Sequence, residues 1–303
     1  MSFTSTVKDE VSKINISDTE SISELSAIVQ STSEITDKLL ISTENNSVAR
    51  RIYNLFKSVF NVYPKITVRR GYNYNKKMIY ILEVKNDILP IFKKLGFESV
   101  IPSDFVIADD ELTRAYLRGL FMVSGSINDP KTSRYHLEFN LNDESYAEFI
   151  CFLLNKYDLN CKILHRDNRY MVYIKEAEKI GDFLRMIGAY NAVMYFEDIR
   201  IYRDHKNMTN RLNNCEQANV DRIIETSNNQ INDIELIKKE GLMDVLDDKE
   251  KEVCEYRVKY TDASLGELAE IITLETGNKI TKSGLYHRFK KIKNMADKIR
   301  NRD

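Results

Sequence analysis

The side chains best suited to ligand chemistry lie near the end of the chain, in ITKSGLYHRFKKIKNMADKI (280–299). Helical spacing gives this stretch an apolar face, made of Leu285, Phe289, Ile292, Ala296 and Ile299. The opposite face is polar and basic, a composition that holds phosphates by charge and reads base edges by hydrogen bonding. The residues predicted to contact DNA are Lys282, Ser283, Tyr286, His287, Arg288, Lys290, Lys291 and Asn294.

A second helical pattern, SLGELAEIITLET (264–276), comes just before this basic stretch. Ser264 and Glu267 have the spacing of a capping box, and a Gly-Asn pair then breaks the helix. Thr281 or Ser283 can cap the basic helix that follows. With DDKEKEVCEYRVKY (247–260) as a supporting helix, the pattern predicts a helix-turn-helix. Its connection is longer than the usual three or four residues.

The formal net charge of −1 hides a strong asymmetry. Residues 279–302 hold nine basic side chains against one acid, Asp297, whereas residues 240–275 hold eleven acids against four basic side chains. One face of a small domain therefore attracts a polyanion while another repels it. The alternative is a charged helix that is only solvated.

Length and composition predict about two domains without a membrane span. The chain has 303 residues, 43% of them hydrophobic, and its longest apolar runs are only a few residues. MSFTSTVKDEVSKI lacks the apolar core of a signal peptide, which favours a cytoplasmic protein. The predicted DNA contacts lead us to expect that it is nucleoid-associated. Cys151, Cys161, Cys215 and Cys254 are widely spread and are expected to be reduced, packed thiols. No metal or cofactor is predicted.

An internal repeat organises residues 1–207. Residues 38–60 and 135–157 share a strand, a polar cluster and an amphipathic helix, with four identities at one spacing: Ser47/Ser145, Ala49/Ala147, Ile52/Ile150 and Leu55/Leu153. Each half, about 20–100 and 110–190, reads helix, strand, helix, strand, strand, helix, and its last helix ends at Gly96 or Gly188. We therefore predict an α+β domain with pseudo-twofold symmetry, followed by a connecting helix over 208–243 and an all-α domain over 244–303.

The leading helices of the two halves align Ala27 with Gly119. Small residues at this point let two helices approach closely on the pseudo-axis. The two hairpins carry basic turns, with Arg69, Arg70, Lys76 and Lys77 in the first and His165, Arg166 and Arg169 in the second. These are possible secondary DNA contacts. Charges that only give solubility and protect sheet edges, or a protein-binding surface, are the alternatives.

The two leading helices, LSAIVQSTSEI from Leu25 and GLFMVSGSI from Gly119, resemble the motif helices of LAGLIDADG homing endonucleases. That resemblance implies two αββαββα-like halves forming a saddle over DNA, with catalytic metal bound by an acid at the end of each helix. The family's acid positions fall on Thr32 and Ser124, which cannot supply the charge that Mg²⁺ requires. Recruiting the nearby Glu34 or Asp129 would need a shift in alignment. The resemblance therefore implies a nuclease that has lost its activity.

The order of domains, together with RAYLRGLFMVSGSIND, YHLEFN, NRLNNCEQAN and SLGELAE, resembles the WhiA family of bacterial regulators over nearly the whole chain. That resemblance implies a non-enzymatic transcriptional regulator that binds double-stranded DNA. It also implies links to sporulation control, cell division and chromosome segregation, and possible protein partners. The alternatives are a residual endonuclease and a DNA-associated or protein-interaction scaffold without direct control of transcription.

Overall fold

A computed structural model describes residues 2–32, 34–35, 38–71, 78–85, 88–97, 99–166 and 169–301. It divides into two compact units, Met1–Asp204 and His205–Asp303. The described helices and strands follow the predicted α+β pattern in the first unit and are all helical in the second. The division falls within one long helix, α8 (Tyr190–Lys239).

The first unit contains the predicted repeat. Its first half is α1 (Phe3–Val11), α2 (Asp18–Thr32), β1 (Glu34–Ile35), β2 (Leu39–Thr43), α3 (Asn46–Phe60), β3 (Lys65–Arg70), β4 (Met78–Val84) and α4 (Ile88–Lys94). After a 3-10 turn at Asp104–Ile107, the second half is α5 (Asp110–Ser124), β5 (Gly125–Ile127), β6 (Leu137–Leu141), α6 (Glu144–Asn155), β7 (Lys162–Arg166), β8 (Arg169–Ile174) and α7 (Ala177–Met186). The two antiparallel sheets have the matching orders β1-β2-β4-β3 and β5-β6-β8-β7. The helices α4 and α7 are followed by Gly96 and Gly188, both at positive φ, as predicted.

The leading helices are shorter than the sequence pattern indicates, because a short strand comes after each of them. The helix α5 ends at Ser124, and Gly125 already has an extended backbone. A Cβ at Gly125 would lie 2.8 Å from the carbonyl oxygen of Phe121, so the sharp change of direction requires glycine. Strands of two or three residues are too short to show an alternating pattern. The expected single strand between the helices is therefore a two-strand hairpin in each half.

The helices α2 and α5 pack against each other at the centre of the unit. A Cβ at Gly119 would lie 3.0 Å from the carbonyl carbon of Glu24 and 3.1 Å from its Cα, and Ala27 is fully buried. The expectation that small residues permit a close helix pair is therefore confirmed.

A buried ion cluster ties three helices together beside this contact. The fully buried carboxylate of Glu24 accepts hydrogen bonds from Arg51 Nε at 2.6 Å and Arg118 Nε at 2.8 Å. Glu20 lies 3.5 Å from the Arg118 guanidinium. A buried carboxylate is tolerated when it is paired in this way, so the cluster fixes α3 and α5 against α2.

The helix α1 has no counterpart in the second half and was not predicted from the sequence. Its residues Phe3, Val7 and Val11 enter the core. Thr4 Oγ1 donates to the carbonyl oxygen of Ile127 at 2.7 Å and accepts from its N–H at 2.9 Å. Since β5 is an edge strand, Thr4 satisfies backbone groups that would otherwise lack a partner there.

The second unit contains the rest of α8, a 3-10 turn at Met243–Val245, and three helices, α9 (Asp248–Lys259), α10 (Leu265–Thr276) and α11 (Lys282–Arg300). They share a core that includes Ile237, Val253, Leu268 and Phe289. The connecting helix expected over 208–243 is thus part of a longer helix that begins at Tyr190. None of the helices in the described part of the chain is long and apolar enough to cross a membrane.

Cys215 corrects one expectation. The Cys215 side chain is exposed rather than packed, and it lies in a part of α8, residues 204–222, in which every residue is exposed. Cys161 and Cys254 are buried and Cys151 is half-buried, as expected of reduced thiols in a core. Desolvation by burial raises the pKa of the Cys254 thiol to about 12, so this thiol stays protonated at neutral pH.

Candidate nucleic-acid interface

Three side-chain caps define the helices of the second unit. Asp247 with Glu250 and Ser264 with Glu267 form reciprocal capping boxes at the starts of α9 and α10. The helix α10 ends at Gly277, and the Thr281 hydroxyl accepts from the Gly284 N–H at 3.1 Å to begin α11. Of the two residues that the sequence allowed as this cap, Thr281 is the one used, which leaves Ser283 exposed in the first turn of α11.

The inner face of α11 packs as its spacing predicts. Leu285, Phe289, Ile292 and Ala296 are buried. Arg257 of α9 is also buried, and its guanidinium carbon lies 5.6 Å from the ring centroid of Phe289. The only trace of this role in the sequence is that Arg257 continues the buried stripe of α9 after Val253 and Cys254.

Arg257 is anchored by oxygen atoms from three places. Its Nη1 donates to the Ala263 carbonyl at 2.7 Å, to the Tyr260 carbonyl at 3.2 Å and to Ser227 Oγ at 3.3 Å. Burial lowers the pKa of this guanidinium, which nevertheless stays charged at neutral pH. Arg257 therefore joins α8, the end of α9 and α11 into one scaffold.

The outer face of α11 collects most of the predicted DNA contacts. Its exposed residues are Lys282, Ser283, Tyr286, His287, Lys290, Lys291 and Asn294. The Tyr286 and His287 rings stand edge to face with centroids 5.8 Å apart. This side of the helix offers hydroxyl, imidazole, amide and ammonium groups to a ligand.

Two of the predicted residues have partners on α9 instead. Lys291 Nζ lies 3.0 Å from Glu250 Oε1, and a hydrogen bond with this carboxylate is the main cause that raises the pKa of Lys291. Arg288 is half-buried, and its Nη1 donates to the Lys249 carbonyl at 3.4 Å and lies 4.0 Å from Glu252. The spacing along α11 could not reveal these pairs.

Charge on α11 is therefore concentrated on a subset of its lysines. In the described part of the chain, the α11 cations outside any ion pair are Lys282, Lys290, Lys293 and Lys298. Arg300 forms ion pairs with two acids: its Nη2 lies 2.6 Å from Asp233 Oδ1 and its Nη1 lies 3.0 Å from Asp297 Oδ1. Partnered acids and unpartnered lysines leave a net positive field on the exposed face.

The basic hairpin turns lie in the first unit. Arg69 and Arg70 end β3, while Arg166 and Arg169 face each other across the turn between β7 and β8. All four are exposed, as is His165, whose ring stacks at a tilt on Tyr170 with centroids 4.8 Å apart. Lys76 and Lys77 lie outside the described residues.

At the positions of the family's catalytic acids this chain has Thr32 and Ser124, neither of which carries a carboxylate. The hydroxyl of Ser124 donates to the Leu120 carbonyl at 2.9 Å, and the side chains of Thr32 and Glu34 lie outside the described part of the chain. Asp129 Oδ1 is occupied, since it accepts from the Lys131 N–H at 2.8 Å and from the Tyr195 hydroxyl at 3.1 Å. Within the described ranges, no group of three or more His, Cys, Asp and Glu residues is arranged to hold a metal ion.

Comparison with known proteins accounts for both units. Three family models match in order: the WhiA N-terminal LAGLIDADG-like domain over residues 18–97, the WhiA LAGLIDADG-like domain over 113–206 and the WhiA C-terminal HTH domain over 209–296. "Probable cell division protein WhiA" from Staphylococcus aureus strains JH9 and Newman is 42% identical over 311 residues, covering 99% of this chain and 98% of each relative. This chain belongs to the WhiA family.

Solved WhiA structures have the same fold. Full-length WhiA from Thermatoga maritima matches with a TM-score of 0.60 at 26% identity, covering 98% of this chain and 99% of the other. A WhiA N-terminal LAGLIDADG domain matches with a TM-score of 0.52 over 61% of this chain and 90% of its own. The predicted α+β LAGLIDADG-like fold with a helix-turn-helix domain is confirmed for this WhiA-family member.

Proposed function

We propose that this WhiA-family protein is a sequence-specific regulator of transcription that binds double-stranded DNA at the nucleoid and has no nuclease activity. The exposed face of α11 carries this proposal, because it presents unpaired lysines beside Ser283, Tyr286 and His287 on a helix held by a buried scaffold. The name of the S. aureus relatives supports a role in cell division, and chromosome segregation or sporulation control falls within the same proposal.

The predicted contacts divide by position on α11. Recognition helices reach base edges with their first turns, so Ser283, Tyr286 and His287 read sequence. Lys282 and Lys290 bind phosphates, and Asn294 extends the polar surface. Arg288 and Lys291 hold α11 to α9 through their acidic partners and contribute charge from the rim.

Selection of duplexes from a random pool, followed by anisotropy titration across a salt series, tests this function. The expected result is an enriched sequence bound with a steep salt dependence, and a loss of preference in Ser283→Ala/His287→Ala. Lys298→Ala, far from the first turns, serves as the matched control. Equal affinity for the selected and random duplexes would exclude sequence-specific regulation.

The residues at the family's acid positions predict that the protein has no nuclease activity. Ser124 is hydrogen-bonded within its own helix and has no charge with which to neutralise a transition state. Supercoiled plasmid incubated with the protein and Mg²⁺ or Mn²⁺ is expected to remain intact on a denaturing gel. Nicking that copurifies with the wild-type chain would overturn this part of the proposal.

The exposed part of α8 favours a second candidate function, a scaffold that binds proteins. Met208 and Leu212 expose 64% and 55% of their surface on this polar helix. Under this reading the basic hairpins serve solubility, and full-length protein has no DNA affinity above background. The anisotropy series above therefore separates the two candidates, and it also measures any secondary DNA contact by Arg69, Arg70, Arg166 and Arg169.

A further inference from the structure

A small basic cavity of about 230 Å³ lies in the second unit, where α8, the connection from α9 to α10 and the start of α11 meet. We call it the Arg257 cavity. Its lining includes Arg222, Thr226, Arg257 and Lys282, and none of its described lining residues is acidic. Drug-sized ligands occupy sites of about 300–1,000 Å³, so this cavity suits a smaller group.

Arg257 gives this cavity a buried positive charge that no acid compensates. The residue is only 1% exposed, and all of its recorded hydrogen bonds come from Nη1 and go to neutral oxygens. Burial is the one cause that shifts the pKa of this guanidinium, which shows that no carboxylate acts on it. Within the described part of the chain it forms no ion pair, although a buried charge normally has a counter-charge.

One edge of the Arg257 guanidinium is unused. Nε and Nη2 form this edge, which can hold two oxygens of an oxyanion through parallel hydrogen bonds. Nε is buried and has no hydrogen-bond partner among the described residues, and no partner is recorded there for Nη2. The charge and the geometry that bind an oxyanion are therefore both available.

Two arginines of the first unit show what this edge normally holds. Arg118 is also buried, and its Nε and Nη2 reach the carboxylates of Glu24 and Glu20 at 2.8 and 3.5 Å. In Arg51 the same two atoms both donate to Glu24, at 2.6 and 3.2 Å. In both residues the Nε–Nη2 edge faces carboxylate oxygens, whereas in Arg257 it has no anion.

The rim of the Arg257 cavity adds two more positive charges. Arg222 of α8 and Lys282 of α11 are exposed, and within the described chain neither has an ion pair or a side-chain hydrogen bond. The hydroxyl of Thr226, one turn after Arg222, likewise has no recorded partner there. Ser264 already caps α10 with Glu267, so the start of that helix is not one of the donors. Three cations around one small cavity attract an anion.

We propose that the Arg257 cavity binds a phosphate group, with the Nε–Nη2 edge of Arg257 as a fixed donor and with Arg222, Thr226 and Lys282 at the rim. The phosphate takes the place that carboxylates have at Arg118. It has two sources, the backbone of duplex DNA or a free phosphorylated compound. A backbone phosphate adds α8 to the DNA contacts of α11, and in that form the inference rests on the proposed function.

Modification of the wild-type chain by an arginine-specific dicarbonyl, read by mass spectrometry, tests the site without any variant. Arg211 is the internal control, because it is an exposed arginine of α8 about three turns before Arg222 and is not part of the cavity lining. Inorganic phosphate or a duplex is expected to slow modification of Arg222 more than that of Arg211. If both probes leave the two arginines equally reactive, the proposal is overturned.

The same measurement separates the two sources. Protection of Arg222 by a duplex and not by inorganic phosphate assigns the site to the DNA backbone. Protection by inorganic phosphate and not by a duplex assigns it to a free compound, and protection by both means that the two phosphates share the site.

Variants then test the named donors with the probe that protects, by calorimetry for inorganic phosphate or by anisotropy for the duplex. Arg222→Gln is expected to weaken binding by about three- to tenfold, and with DNA to lower the salt slope by about one. Arg257→Lys keeps a positive charge but loses the Nε–Nη2 edge, so a loss of at least about tenfold is expected. Arg211→Gln should bind like the wild type.

Unchanged affinity in Arg222→Gln or in Arg257→Lys overturns the proposal. Arg222 is exposed, so its variant gives an answer even if Arg257→Lys does not fold. The proposed function is judged separately, from the sequence preference of Ser283→Ala/His287→Ala. A protein that keeps this preference while Arg222 and Arg211 react alike has the function without the site.

Discussion

The guanidinium of Arg257 lies 5.6 Å from the centroid of the Phe289 ring, a contact that helps the apolar stripe of α11 to fix which face of this helix meets solvent. Phe289 belongs to the inner stripe of α11, and Arg257 is held by the carbonyls of Tyr260 and Ala263. Rotation of α11 about its axis would break the contact. The exposed positions of Ser283 and His287 therefore depend on a buried arginine in another helix.

Arg257→Leu is expected to destabilise the second unit by roughly 2–4 kcal/mol, because two partly buried carbonyls lose their donor and a cation–π contact is lost. Urea unfolding followed by circular dichroism measures the change. Arg222→Leu, which removes an exposed arginine from α8, is the control and should stay within about 0.5 kcal/mol of the wild type. A similar small effect for Arg257→Leu would show that the contact does not hold α11.

Lys290→Ala and Lys291→Ala make a matched pair for DNA binding. Lys290 has no ion pair within the described chain, whereas Lys291 pairs with Glu250 at 3.0 Å. Lys290→Ala is therefore expected to lose more affinity, by roughly 3- to 30-fold, and to lower the salt slope by about one. Anisotropy on the selected duplex measures both. A larger loss for Lys291→Ala would place the phosphate contact on the α9 side of the helix.

Local sequence patterns predicted correctly the structural features that depend on residues close together in the chain. The apolar stripe of α11, the Ser264–Glu267 capping box and the glycines that end α4 and α7 depend on spacings of a few residues. These features match the structure because short-range sterics and hydrogen bonds dictate them.

Features that depend on contacts between residues far apart in the chain could not be predicted from the sequence. The helix α1 is short and polar outside three buried residues, and its place is fixed by Thr4 bonding to Ile127, 123 positions away. In the sequence, Arg257 is one charged residue in a charged segment. Its contacts with Phe289 and Ala263 appear only in the folded structure. The pairing of Lys291 with Glu250 likewise requires α9 and α11 to be packed together. The helical period shows which side chains of one helix share a face, but it does not identify the residues of another helix that pack against that face.

Gly119→Ala tests the central helix pair. The added methyl group would meet the backbone of Glu24, which cannot move without shifting α2, so a loss of roughly 1–3 kcal/mol or more is expected. Gly266→Ala in α10 is the control, since the nearest atom to its added Cβ is Ser264 Oγ at 3.8 Å. Helix propensity predicts that this control is neutral or slightly stabilising. Equal stability of the two variants in urea would mean that α2 and α5 can separate at little cost.

Lys8→Met is expected to stabilise the protein at neutral pH. Burial lowers the pKa of Lys8 from its usual 10.5 to about 8 against the opposing effect of Glu44, so charging this amine disfavours the folded state. Between pH 8 and 10.5 the unfolded chain binds more protons at Lys8 than the folded chain, and wild-type stability therefore rises with pH across this window. Below pH 8 both states are protonated and the full cost, on the order of 3 kcal/mol, is present.

The gain from Lys8→Met should therefore be largest at pH 7 and should fade as the pH approaches 10.5, in urea unfolding measured at each pH. Lys13→Met should show no such pH dependence, since its side chain is exposed. A variant that is less stable than the wild type at pH 7 would show that the Lys8 ammonium already has a partner in the folded chain.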